Sequence, residues 1–205
     1  MSRIYDCISK INEAIHQNKD FLTDLDREIG DADHGVNMAR GFQAVVEKIS
    51  PEDEDVGATL KKTGMTLLST VGGASGPLYG TAYMEAGKVV AGKTEVSAED
   101  FGAMLDAAIQ GIQKRGKAEK GEKTMLDSLL PAYETYKEKV AGGSSLVEAL
   151  EAACEEAEKG IEYTKTIRAT KGRASYLGDR SIGHQDPGAT SATITLKTIL
   201  EFLKG

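Results

Sequence analysis

The chain has 205 residues, a formal net charge of −7, 40% apolar residues and no Trp. That length supports one sizeable core, and an acidic chain without a basic face sets nucleic-acid binding aside. Its apolar runs fall short of the roughly 20 residues of a membrane span. The first residues do not read as a signal peptide, and Cys7 and Cys154 stand far apart in helical surroundings. The expectation is therefore a soluble, cytoplasmic protein of one domain over residues 1–205, its thiols buried as small core residues.

Ile4, Ile8, Ile11 and Ile15 make one apolar stripe, which predicts a helix over 3–19. Phe21, Leu22 and Leu25 extend it by a short turn. An acidic loop follows over 26–35: Asp26, Asp31 and Asp33 with no lysine between them, broken by Gly30 and Gly35. Such a cluster repels itself unless a cation, most simply a divalent metal, is present. A second helix runs from about Val36 to Ile49 and stops at Ser50-Pro51. Asp55 caps a third over 56–71.

Gly72-Gly73-Ala74-Ser75-Gly76-Pro77 interrupts the pattern, and Pro77 suits the first position of a fourth helix ending near Gly92. Ser97 with Asp100 forms a near capping box for a fifth helix, 98–114. A polar loop spans 115–123, a sixth helix 124–140, and a seventh, capped by Ser144 or Ser145, about 146–169. A long loop over 170–186 leads to a last helix, 187–204, opened by Asp186-Pro187. Thr193-Ile194-Thr195-Leu196 alternates like a strand, but its place behind an Asp-Pro start favours helix. The fold class is all-α, with eight helices.

If successive helices run antiparallel, alternate loops share one end. Loops 26–35, 72–76, 115–123 and 170–186 then meet, while 50–55, 92–97 and 142–145 lie opposite and are acidic or plain. The first group collects the chemistry. Three aspartates can hold two magnesium ions against a polyphosphate. The glycine-rich start of the fourth helix and the turn at Asp186-Pro187-Gly188 offer backbone N–H groups to an anion. Arg173, with Lys171 and Arg180, can meet phosphate charge. An EF-hand is excluded because Phe42 occupies the twelfth position from Asp31, and a Walker loop because no Gly-Lys-Ser/Thr follows Gly72.

Each feature has a plainer reading. Asp-rich loops are commonly solvated turns, and Gly-rich helix starts are commonly tight packing. For His34 the alternatives are a phosphohistidine carrier and a polar contact or cap beside bound ligand, the second favoured. His184 is a cap or a ligand contact, His16 a surface residue, and Met125 core or the wall for a flat ring.

Three long runs carry a resemblance: Asp26-Arg-Glu-Ile-Gly-Asp-Ala-Asp-His-Gly35, Gly72-Gly-Ala-Ser-Gly-Pro-Leu78, and Lys171 through Ser191. Together they resemble the nucleotide-binding L subunit of bacterial dihydroxyacetone kinases, in order and spacing, over nearly the whole chain. The resemblance implies a single-domain antiparallel eight-helix barrel with the nucleotide, ADP or ATP, at one end. It implies that Asp26, Asp31 and Asp33 hold two magnesium ions. It further implies nucleotide contacts from His34, Gly35, Val36, Asn37, Ala74, Ser75, Gly116, Met125, Arg173, Asp186, Pro187 and Gly188. No side-chain nucleophile is expected.

The implied partners are a K subunit, whose histidine binds dihydroxyacetone covalently, and an M subunit, whose phosphohistidine rephosphorylates resident ADP. Two alternatives stay open: a subunit that exchanges free ATP, and a non-catalytic nucleotide-sensing partner of a transcription regulator. Self-association is compatible with either.

Overall fold

A computed structural model describes residues 3–205, and its regular structure over those residues is wholly helical. α1 (Arg3–Gln17) buries Ile8, Ile11 and Ile15 of the stripe read from the sequence, with Cys7 beside them and Ile4 half-buried. α2 (Lys19–Ile29) follows after Asn18 alone. Hydrogen bonds from Asn18 N to the Ala14 carbonyl and from Leu22 N to the Asn18 carbonyl carry the ladder across that break. The two therefore form one kinked stave. The short turn expected after residue 19 is an eleven-residue helix, because Leu22 and Ile29 supply it with a buried face.

The remaining staves are α3 (His34–Lys48), α4 (Val56–Thr70), α5 (Ser75–Val89), α6 (Ala98–Gly116), α7 (Leu126–Ala141), α8 (Leu146–Thr166) and α9 (Pro187–Lys204). A 3-10 helix, Arg173–Ser181, lies between α8 and α9, inside the stretch read as a plain loop. Each stave packs on the next, and α9 packs on α1, so eight staves close a ring. Its interior is one apolar core running through Ile11, Phe42, Leu67, Leu126, Tyr136 and Leu150. Full burial of such side chains is worth roughly 1.5–3 kcal/mol each, which outweighs the modest intrinsic helix propensity of the Thr-rich α9.

Helix-to-helix distance is set by small residues where α4 meets α5. A Cβ at Gly64 would stand 2.5 Å from the Gly80 carbonyl oxygen, and one at Gly57 would stand 2.6 Å from Ala91 Cα. This close pairing anchors the glycine-rich connection at one rim of the ring. Thr193 and Thr195 are helical, their hydroxyls donating to the carbonyls of Ala189 (2.9 Å) and Ser191 (3.0 Å). That back-bonding removes the strand alternative. None of the described helices is long and apolar enough to cross a membrane.

Several boundaries shift, with identifiable causes. Asp26 belongs to the last turn of α2, and α3 begins at His34, so the acidic loop shrinks to Gly30–Asp33. Gly35 does not break a helix: its bare Cα lets α3 lie against the Lys19 carbonyl and Thr23 of α2. α5 begins at Ser75, which puts Pro77 in the third helical position, where its missing N–H is still one of the four unpaired donors of a helix start. α8 ends at Thr166, since Ile167 is extended and Ala169 N donates to Ser181 Oγ at 2.9 Å.

Candidate functional site

The loops after α2, α4, α6 and α8 meet around a cavity of about 360 Å³. Asp26, Ala74, Gly116, Met125, Arg173 and Gly188 all face it, one or more from each connection. Alternate loops therefore do share an end, as the antiparallel order requires.

One wall is acidic. Asp26 is 9% exposed, and its Oδ2 accepts hydrogen bonds from Asp33 N (2.8 Å) and His34 N (3.2 Å). Ala32 adopts a left-handed φ of 58° and turns the chain sharply between Asp31 and Asp33. The three carboxylates present oxygen atoms within 4.8 Å of one another. At that spacing each ionised pair repels by roughly 3 kcal/mol at an effective dielectric near 20. Nearby positive charge comes from Arg173, whose Nε lies 2.9 Å from Asp31 Oδ2. An oxygen-only donor set of this size suits magnesium, which keeps one or two carboxylates and completes its shell with water and phosphate.

The remaining wall is built from helix starts. α3, α5, α7 and α9 all open on the cavity through His34, Ser75, Met125 and Pro187. The N-cap residues of the first three, Asp33, Ala74 and Met125, make no side-chain capping bond. The His34 amide of α3 is taken by Asp26 and the Leu126 amide of α7 by Thr124 Oγ1. Among the described residues the start of α5 is therefore the one of these three without a side-chain partner. The positive ends of all four helix dipoles face one volume, an arrangement that suits an anion. Gly73, at φ 64°, leaves the approach to α5 free of side-chain atoms. Leu78, Ile112 and Met125 add an apolar slot.

His34 joins these walls. Its ring is buried, with Nδ1 3.0 Å from Ser75 Oγ and Nε2 2.8 Å from Ser191 Oγ. Burial lowers its pKa, against the pull of Asp26 and Asp33. The polar-contact reading of His34 fits these bonds. Asp186 caps α9 by accepting from Ala189 N at 2.7 Å. Its burial pushes the carboxyl up to about 7, opposed by that hydrogen bond and by Lys123.

Lys123 is the residue sequence reasoning missed. It is 2% exposed, and its Nζ donates to the carbonyls of Thr164 and His184, tying α8 to the segment before Asp186. A lysine in a polar loop reads as solvated, and no local signal distinguishes this one. Three sequence candidates do not line the cavity. Gly35 packs on α2, Val36 is 47% exposed, and Asn37 is turned to Arg40, accepting from its Nη2 at 2.8 Å. Arg180 is exposed away from the cavity, whereas Lys171 lines it.

The DAK2 domain family model matches residues 28–201, which takes in Asp31, Asp33 and all four helix starts but not Asp26. The chain belongs to the Dak2 family. This Dak2 chain is 46% identical over 199 residues to the PEP-dependent dihydroxyacetone kinase, ADP-binding subunit DhaL, of Escherichia coli strain K12, covering 97% of the chain and 95% of that relative. It is 42% identical over 195 residues to the PTS-dependent dihydroxyacetone kinase, ADP-binding subunit DhaL, of Lactococcus lactis, covering 95% and 93%. Its fold is that of the dihydroxyacetone kinase of C. freundii, at a TM-score of 0.73 and 20% identity, over 97% of this chain and 34% of that one. The same kinase in complex with AMP-PNP and Mg2+ matches at 0.71 and 21% identity, over 97% of this chain and 33% of that one.

Proposed function

We propose that this Dak2 protein is the ADP-binding phosphoryl-transfer subunit of a dihydroxyacetone kinase. The observation that carries the reading is the meeting in one cavity of three clustered carboxylates and four helix starts, the start of α5 without a side-chain cap among the described residues. A magnesium–nucleotide complex matches both at once. Relatives covering almost the whole chain and described as ADP-binding subunits support the choice of nucleotide.

Phosphoryl transfer depends mainly on positioning and charge neutralisation. Asp26, Asp31 and Asp33 would hold magnesium, which supplies positive charge at the phosphate oxygens when bound. The amides at the starts of α5 and α9 receive the remaining phosphate charge without reorganising. Leu78, Ile112 and Met125 flank the flat ring and exclude water from it. Arg173 pairs with Asp31; a cation on that carboxylate frees its guanidinium for phosphate. No side chain of this chain acts as nucleophile. The acceptor dihydroxyacetone is presented by a K subunit at the open rim, and a phosphohistidine on an M subunit restores the γ-phosphoryl to ADP in place.

A second reading, direct use of exchangeable ATP, is favoured by the C. freundii kinase having been solved with AMP-PNP and Mg2+. Denaturing the purified protein and quantifying released nucleotide separates the two. Stoichiometric ADP is expected for the relay. A site that is empty on purification and exchanges ATP freely would replace the relay with the second reading, and a site that binds neither would end both.

A further inference from the structure

Behind the helix-start wall, four side chains form one hydrogen-bonded line. Tyr79 OH lies 2.7 Å from Ser191 Oγ, Ser191 Oγ lies 2.8 Å from His34 Nε2, and His34 Nδ1 lies 3.0 Å from Ser75 Oγ. The burial of Tyr79 and the shorter of the two Ser191 contacts set the order of the hydrogens. Tyr79 is buried, and among the described residues its hydroxyl has Ser191 as its partner. A buried donor without an acceptor costs roughly 1–3 kcal/mol, so Tyr79 donates to Ser191.

Ser191 has one hydrogen and two possible acceptors, His34 Nε2 at 2.8 Å and the Gly188 carbonyl at 3.2 Å. The nitrogen is closer, and the carbonyl already faces the α9 ladder. Ser191 therefore donates to Nε2. A neutral imidazole then carries its proton on Nδ1 and donates it to Ser75 Oγ. The Ser75 hydrogen is left without a partner among the described residues, at the cavity-facing start of α5.

We propose that Tyr79 and Ser191 are positioning residues for this site: acting through His34, they set the Ser75 hydroxyl to donate into the cavity, onto an anionic ligand oxygen. Neither Tyr79 nor Ser191 lines the cavity. Identifying that oxygen as a nucleotide phosphate rests on the function proposed above; the order of hydrogens does not.

The chain has three histidines, so ¹⁵N correlation spectra of the full-length protein resolve the His34 ring directly. The expected tautomer is protonated at Nδ1 and bare at Nε2, with or without Mg–ADP; a ring protonated at Nε2 overturns the inference. Calorimetric ADP binding to Ser75→Ala, Ser191→Ala and the double variant tests the consequence. Each single change is expected to weaken binding about tenfold, with the double no weaker than Ser75→Ala, because both remove one interaction. A double variant weakened about a hundredfold, or an Ser191→Ala protein that binds normally, overturns it. A wild-type protein that binds no ADP would instead remove the nucleotide reading, and the tautomer would still decide the hydrogen-bond order.

Discussion

The two ends of the barrel enclose cavities of similar size, about 360 Å³ and 330 Å³, yet they differ in clustered charge and in how their helix starts are capped. At the far end, α4, α6 and α8 start under complete side-chain caps. Asp55 accepts from Ala58 N at 2.9 Å, and Ser97–Asp100 and Ser145–Glu148 form full capping boxes. The far-end cavity is lined mainly by apolar side chains such as Ile8, Ile11, Leu60, Phe101 and Leu203. At the loop end, the N-cap residues of α3, α5 and α7 make no capping bond, and Asp26 and Thr124 meet amides of α3 and α7 in their place. The start of α5 is left without a side-chain cap among the described residues, and three carboxylates lie within 4.8 Å of one another. Volume does not distinguish the two ends; hydrogen-bonding and electrostatic demand does. A helix start without a cap forgoes about 1 kcal/mol, which a bound anion would recover.

The contrast breaks most sharply at the acidic wall. Asp31→Ala should lose magnesium and nucleotide together, with ADP affinity falling at least a hundredfold by calorimetry. Retained ADP binding in the presence of a chelator would show that the carboxylates are not metal ligands. Next in size is Lys123→Met, which leaves two buried carbonyls without their donor. It should cost roughly 3 kcal/mol in denaturant unfolding and also weaken ADP, since Lys123 fixes the segment that carries Asp186.

Asp186 gives the pH dependence. Its folded pKa is raised to about 7 from an ordinary value of 3.8. Its contribution to stability is therefore fully present below about pH 4 and is lost as pH rises through about 7. Asp186→Asn keeps an oxygen to cap Ala189 N and abolishes that titration. Its stability relative to wild type should improve across this window by a few kcal/mol, at about 1.36 kcal/mol per pKa unit. A pH-independent difference would contradict the burial argument.

The smallest effects come from exchanging the character of the two ends. Ser97→Ala removes a working cap and should cost about 1 kcal/mol of stability with ADP affinity unchanged. Ala74→Asp places a carboxylate at an open helix start; it should weaken ADP about tenfold while leaving the unfolding midpoint nearly unchanged. Equal effects of the two changes on ADP would erase the distinction between the ends.

Much of this was legible in the sequence because it depends on local signals. Apolar spacing located the staves, Ser97 and Ser145 marked helix starts, and the three aspartates advertised an acidic wall. What was not legible depends on tertiary contact. The α2 helix looked like a turn because its apolar face is short and its support comes from α3 and α9. Gly35 read as a breaker, although its role is to admit the α2 backbone. Val36 and Asn37 were assigned to the cavity with their neighbours, but in a helix adjacent residues face different ways. Lys123 carries no local mark of burial. The partnership of Tyr79 with Ser191 spans 112 residues and exists only once the ring closes.

The central claim is that the loop end holds one magnesium–nucleotide complex through both walls together. Titrating ADP into nucleotide-free protein by calorimetry, with magnesium and then with chelator, tests it most directly. The expected result is one site per chain with magnesium and at least a hundredfold weaker binding without it. Equal affinity under both conditions, or no binding under either, would contradict it.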